Sequence, residues 1–173
     1  MKKYLLFAAL ALLAGVAGYW MGSDLHHGEP NSAQVVSFSL PDIHGKNRSI
    51  GDWQGKLRIV NFWATWCPPC REEIPVFIKA QQQFGRRGLQ IIGVAVDKPA
   101  DVMRFYAAEG MNYPVLLGEQ DGLALMSRYG DPDGSLPYSI IIDGQGHVVG
   151  SQLGAFTQSE LDRKIQPYLK PAS

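Results

Sequence analysis

The 173-residue chain predicts an α/β domain built on a mixed central β-sheet. Three observations lead there. From residue 57 onward, apolar β-rich runs alternate with segments of helical period. Two of those runs, "LRIVNFWAT" (57–65) and "LQIIGVAV" (89–96), are long and apolar enough for buried central strands. The last two strand-like runs, "YSIIID" and "HVVGSQLG", flank a Gly-rich turn and so form a hairpin.

The chain starts differently. After Lys2 and Lys3, residues 4–23 carry no charge, and about 20 residues rising about 1.5 Å each span roughly a 30 Å hydrocarbon core. That length favours a retained single-pass anchor over a cleaved signal peptide, while Gly15 and Ala17 offer small residues for cleavage after Ala17. The lysines mark the cytoplasmic side, and Tyr19 and Trp20 suit the opposite interface. Either outcome puts the domain outside the cytoplasm. Residues 24–34 ("DLHHGEPNSAQ") are polar and aperiodic, which reads as a tether. His26 and His27 there read as solvated side chains rather than ligands. The folded domain is expected over 35–173.

Within it, "VVSFSL" and "PDIHGKNRSI" read as an N-terminal β-hairpin turning at Gly45. The strand at 57–65 leads straight into Cys67. Residues 68–84 carry Ile74, Phe77, Ile78 and Phe84 at helical spacing, with Pro68 and Pro69 in the first turn, where a missing N–H costs nothing, and Pro75 inside. After the strand at 89–96, a helix over 99–110 opens at Pro99 and closes at Gly110, and "YPVLL" (113–117) is a short strand. These two form an inserted helix-strand segment. "DGLALMSRYG" is a third helix, and Thr157 with Glu160 makes a capping box for a last helix running to about Leu169.

Sixteen basic and sixteen acidic residues cancel, and no run of Lys or Arg is long enough to track phosphates. Nucleic-acid binding is therefore excluded. Residues 1–23 hold two lysines and no acid, so the remainder has 14 basic and 16 acidic residues, a mildly acidic balance that says nothing of partners.

Cys67 and Cys70 are the only cysteines. A structural zinc site needs about four N or S ligands, and His44 and His147 supply no second pair at suitable spacing. A purely structural disulfide would close a very short loop and gain little. A redox pair explains the placement. Cys67 stands where a buried strand gives way to a helix N-terminus, whose dipole and free N–H groups favour a thiolate. Cys70 is on the same helical face, close enough to bond to it. Cys67 is expected to be the outer, attacking sulfur and Cys70 the resolving one in thiol:disulfide exchange. With Pro68 and Pro69 lacking donors, the Cys70 N–H is left to bond the Cys67 sulfur.

The run "FWATWCPPCREEIP" resembles the active-site segment of the TlpA/ResA-like thiol:disulfide oxidoreductases of the thioredoxin-like superfamily, and the likeness extends over residues 36–170. The resemblance implies a thioredoxin-like fold tethered to the inner membrane, facing the periplasm, or released into it if the leader is cleaved. It implies reduction of disulfides in exported proteins, often apocytochrome c, with electrons from an integral membrane donor of the DsbD/CcdA type. No cofactor or metal beyond the Cys67–Cys70 pair is implied. By position, Glu73 matches an acid associated with proton transfer, against the alternative of a solvated first-turn carboxylate. Pro137 matches a proline with a cis peptide bond facing the cysteines, which would leave the backbone at Leu136 free to pair with a substrate segment. Trp66, Pro68, Pro69, Leu136 and Pro137 are the expected substrate contacts. Asn61 departs from thioredoxin, which has a buried acid there, and reads otherwise as a hydrogen-bonded strand residue. Trp63 reads as core, and Asp97 and Asp143 as turn starters.

Two other classes share this architecture. A peroxidase of the peroxiredoxin type wants Thr or Ser three residues before its cysteine, where this chain has Ala64. A copper chaperone uses cysteines separated by three residues plus a histidine, and here the separation is two. Cys-Pro-Pro-Cys leaves the direction open between reductant and oxidant of the same fold.

Overall fold

The computed structural model describes residues 35–171. The expected anchor (1–23), tether (24–34) and His26–His27 pair lie outside the described residues. Among the described residues, no helix is long and apolar enough to cross a membrane.

Strands β1 (Ser39–Pro41) and β2 (Asn47–Ser49) pair antiparallel around a turn in which Gly45 has a φ of 78°, a left-handed conformation that a side chain would strain. A short 3₁₀ turn capped by Ser49 leads to β3 (Leu57–Trp63), buried at every position. Then follow α1 (Pro68–Phe84), β4 (Leu89–Ala95), α2 (Pro99–Glu109), β5 (Val115–Leu117), α3 (Asp121–Arg128), β6 (Tyr138–Ile142), β7 (Val148–Leu153) and α4 (Gln158–Ile165). The main sheet has the order β5-β4-β3-β6-β7. Strands β3, β4 and β5 are parallel, and β6 runs antiparallel to both β3 and β7. The sheet is mixed, as the alternation of elements requires.

Side chains alternate across a strand, so β3 divides its residues between two cores. Leu57, Ile59 and Trp63 face a layer made by Cys70, Ile74, Phe77 and Phe84 of α1, Val102 of α2, and Leu161 and Ile165 of α4. Val60 and Phe62 face Leu125 and Met126 of α3 together with Leu40, Ile50 and Trp53 from the N-terminal hairpin region. The same alternation puts Asn61 on the α1 side, opposite Ser139 of β6 and Gly93 of β4. Gly93 is where the Trp63 indole needs room: a Cβ there would stand 2.9 Å from Trp63 Nε1.

Several expected elements are shortened: β1 begins at Ser39 rather than Val35, and the strands read at 57–65 and 89–96 end at Trp63 and Ala95. The strand read at 113–117 begins at Val115, because Pro114 has no N–H to give a ladder. Helix α3 stops at Arg128, and the last helix gives way after Ile165 to a 3₁₀ turn containing Pro167. Helix α1 keeps its expected span with Pro75 inside it.

Candidate active site

Chain direction places the cysteines. Strand β3 ends at Trp63, and a tight turn, closed by Cys67 N–H donating to Ala64 O at 3.2 Å, delivers Cys67 to the N-cap of α1. Its extended backbone (φ −91°, ψ 107°) leaves the side chain facing the helix end, and the Cys70 N–H donates to Cys67 Sγ at 3.3 Å. That is the bond expected when two prolines remove the other first-turn donors. Cys67 and Cys70 form a disulfide with Cα atoms 5.3 Å apart. Cys67 is the outer sulfur by a narrow margin, 3% exposed against 0% for Cys70. The outward surface of the turn comes instead from Trp66, 67% exposed, and from exposed Pro68 and Pro69.

One helical step beyond Cys70, Glu73 is buried, only 1% exposed, which overturns the solvated first-turn alternative. Its Oε1 accepts from Asn61 Nδ2 at 2.7 Å and its Oε2 from the Phe156 N–H at 3.1 Å. Burial dominates and pushes its pKa up to about 7, while the two hydrogen bonds pull the other way. A carboxyl poised there holds and releases a proton at neutral pH.

Across the site, the Leu136–Pro137 peptide bond is cis. Pro137 itself is buried and Leu136 half-buried, so what this pair can offer a partner is backbone rather than side-chain surface. Leu136 packs on the core that contains both cysteines, and among the described residues its N–H and C=O have no backbone partner.

Sequence reasoning missed the framework that holds Glu73. Asn61, read as an ordinary strand amide, also donates to Ser139 Oγ at 3.0 Å, so one side chain ties β3 to both α1 and β6. The available signal was period: Asn61 shares parity with Leu57, Ile59 and Trp63 in a fully buried strand, and Glu73 lies in the stripe of Cys70, Phe77 and Phe84. Phe156 enters through a backbone N–H, which no side-chain pattern announces. Tyr113 is also nearby. It packs edge-on against Phe77 at 6.4 Å, and its hydroxyl is buried without a hydrogen-bond partner among the described residues. Burial and then the Glu73 charge hold its phenol above the ordinary range.

A mixed sheet whose central parallel strand runs into a cysteine-capped helix, with a cis-proline loop packed on the same core, defines a thioredoxin-like thiol:disulfide oxidoreductase. The AhpC/TSA family model matches residues 32–151, and the chain belongs to that family. Several of its relatives are named as thiol-disulfide exchange proteins. Thiol-disulfide oxidoreductase ResA of Halalkalibacterium halodurans is 31% identical over 139 residues, covering 80% of this chain and 76% of that one. ResA of Bacillus anthracis is 30% identical over 175 residues, covering 96% and 99%. Among solved structures, a thiol:disulfide interchange protein of the thioredoxin family from Chlorobium tepidum superposes with a TM-score of 0.72 at 31% identity, covering 82% of this chain and 99% of that one.

Proposed function

We propose that the chain is a membrane-tethered, extracytoplasmic reductant of disulfides in exported proteins, apocytochrome c among them. It would be recharged by an integral membrane electron donor of the DsbD/CcdA type and use no cofactor beyond its own cysteine pair. The tether rests on the uncharged stretch at residues 4–23, and the direction on the site.

In the reducing cycle, Cys67 thiolate attacks one sulfur of a substrate disulfide. A Cys67–substrate disulfide forms and the other substrate sulfur leaves as a thiolate that takes up a proton. Glu73, in its ionised form, accepts the Cys70 proton. Cys70 then attacks Cys67 Sγ, and the second substrate sulfur departs as a thiolate and is protonated. Two electrons and two protons have moved to the substrate, and the Cys67–Cys70 disulfide is left behind. Trp66, Pro68 and Pro69 supply the outward contact, and the free backbone at Leu136, set by Pro137, pairs with the substrate segment.

The observation that carries the reductant reading is the single N–H that donates to Cys67 Sγ among the described residues. Proline at the first two helical positions withholds further donors, which limits thiolate stabilisation and keeps the reduced form from being strongly favoured. Equilibrating the pair against glutathione buffers tests it. A potential near that of thioredoxin, about −270 mV, is expected, and one near that of DsbA, about −120 mV, marks an oxidant instead.

A further inference from the structure

We propose that Asp97 is a positioning residue for the reactive cysteine: acting through Thr65, it holds the turn that sets Cys67 on the cap of α1. Asp97 follows the end of β4, where its sequence reading was a turn starter without chemistry. Its Oδ2 accepts from the Thr65 N–H at 3.0 Å and from the Thr65 hydroxyl, while its Oδ1 accepts from the Lys98 N–H at 2.7 Å. Thr65 is the second residue of the turn closed by Ala64 O and the Cys67 N–H. The Val96 N–H donates to Trp63 O at 2.8 Å, so strand pairing continues to the base of this turn and the carboxylate takes over where it ends.

The rest of the turn is weakly tied. Trp66 is largely exposed, Pro68 and Pro69 have no N–H, and among the described residues the Trp66 side chain makes no hydrogen bond. Among the described residues, the Asp97–Thr65 pair is thus the side-chain hydrogen-bond link between the redox turn and the segment that follows β4. The chemistry depends on that link, because Cys67 Sγ gains its thiolate character from alignment with the helix end and the Cys70 N–H at 3.3 Å.

A charge role and a positioning role predict opposite results. A role through charge would have the Asp97 carboxyl oppose a thiolate on the turn it holds, so deleting the carboxyl would lower the Cys67 pKa. Deleting the link lets the turn drift and raises it. The test measures the pH profile of Cys67 alkylation and the rate of disulfide reduction in reduced Asp97→Ala, Asp97→Asn, Thr65→Val and Thr65→Ser, with melting of each oxidised form alongside.

Asp97→Ala and Thr65→Val are expected to raise the Cys67 pKa and slow reduction, Asp97→Ala by about tenfold, the scale of one charge-assisted hydrogen bond. Asp97→Asn keeps an oxygen facing both Thr65 donors and recovers most of the rate, as Thr65→Ser does by keeping the hydroxyl. The proposal fails if Asp97→Ala leaves the alkylation profile unchanged while lowering only the melting temperature. It also fails if Asp97→Ala and Asp97→Asn lower the pKa alike. Should Asp97→Ala not fold, the Thr65 pair decides: equal profiles for Thr65→Val and Thr65→Ser overturn the link.

Discussion

At the scale of single residues, Glu73 decides how the molecule responds to pH. The carboxyl keeps its proton up to about pH 7 in the folded chain, against an ordinary value of 4.5. Between those values the native state binds more protons than the unfolded state, so stability falls as pH rises and the loss is complete above the folded pKa. The full difference is about 3 kcal/mol. Glu73→Gln removes this slope. Its amide still accepts from Asn61 Nδ2 but turns an NH₂ group toward the Phe156 N–H, and a buried donor left without an acceptor costs about 1 to 3 kcal/mol. The variant should therefore be less stable than the parent near pH 5 and approach or pass it near pH 8. Urea unfolding of the oxidised form across that range checks the crossing. Parallel curves for the two proteins would mean that Glu73 does not titrate there.

At the scale of elements, local patterns announced boundaries and long-range partners stayed silent. Helix α1 was legible because its opening prolines, apolar spacing and final Phe84 all agree, and the Gly45 and Gly110 turns because left-handed backbone favours glycine. The Cys67–Cys70 pair was legible because strand, cysteine and helix are contiguous. Glu73 with Asn61 was not. The partners are 12 residues apart on different elements, and their meeting depends on which face of β3 turns toward α1. Phe156 lies 83 residues from Glu73, a distance across which only the fold supplies information. Its backbone is held by the start of α4, where Thr157 accepts from the Glu160 N–H and Glu160 accepts from the Thr157 N–H. Thr157→Ala should cost about 1 kcal/mol in chemical denaturation. Amide exchange should show the Phe156 N–H losing protection together with the first turn of α4. Protection lost in α4 but kept at Phe156 would show that the cap does not support the Glu73 site.

At the scale of the whole molecule, direction of electron flow is a stability difference. Oxidised and reduced chains, each folded and unfolded, form a closed cycle, so folding shifts the potential of the pair by the difference between the two unfolding free energies, about 1.4 kcal/mol for every 30 mV. Two features favour the oxidised fold. Joining residues three apart restricts the unfolded chain by about 2 kcal/mol in the chain-entropy account. The two cysteines are also almost wholly enclosed by the α1-side core, where an uncharged disulfide is accommodated at less cost than a dithiol that must hold a buried Cys67 thiolate. One feature favours the reduced fold: the helix end and the Cys70 N–H that stabilise Cys67 thiolate, limited by the two prolines. The oxidised protein should accordingly resist urea at pH 7 better than the dithiol form by a few kcal/mol, measured on the same chain with and without excess reductant. A reduced form more stable than the oxidised one reverses the sign of the cycle. It would make the chain an oxidant of exported thiols while leaving the Cys67–Cys70 exchange chemistry intact.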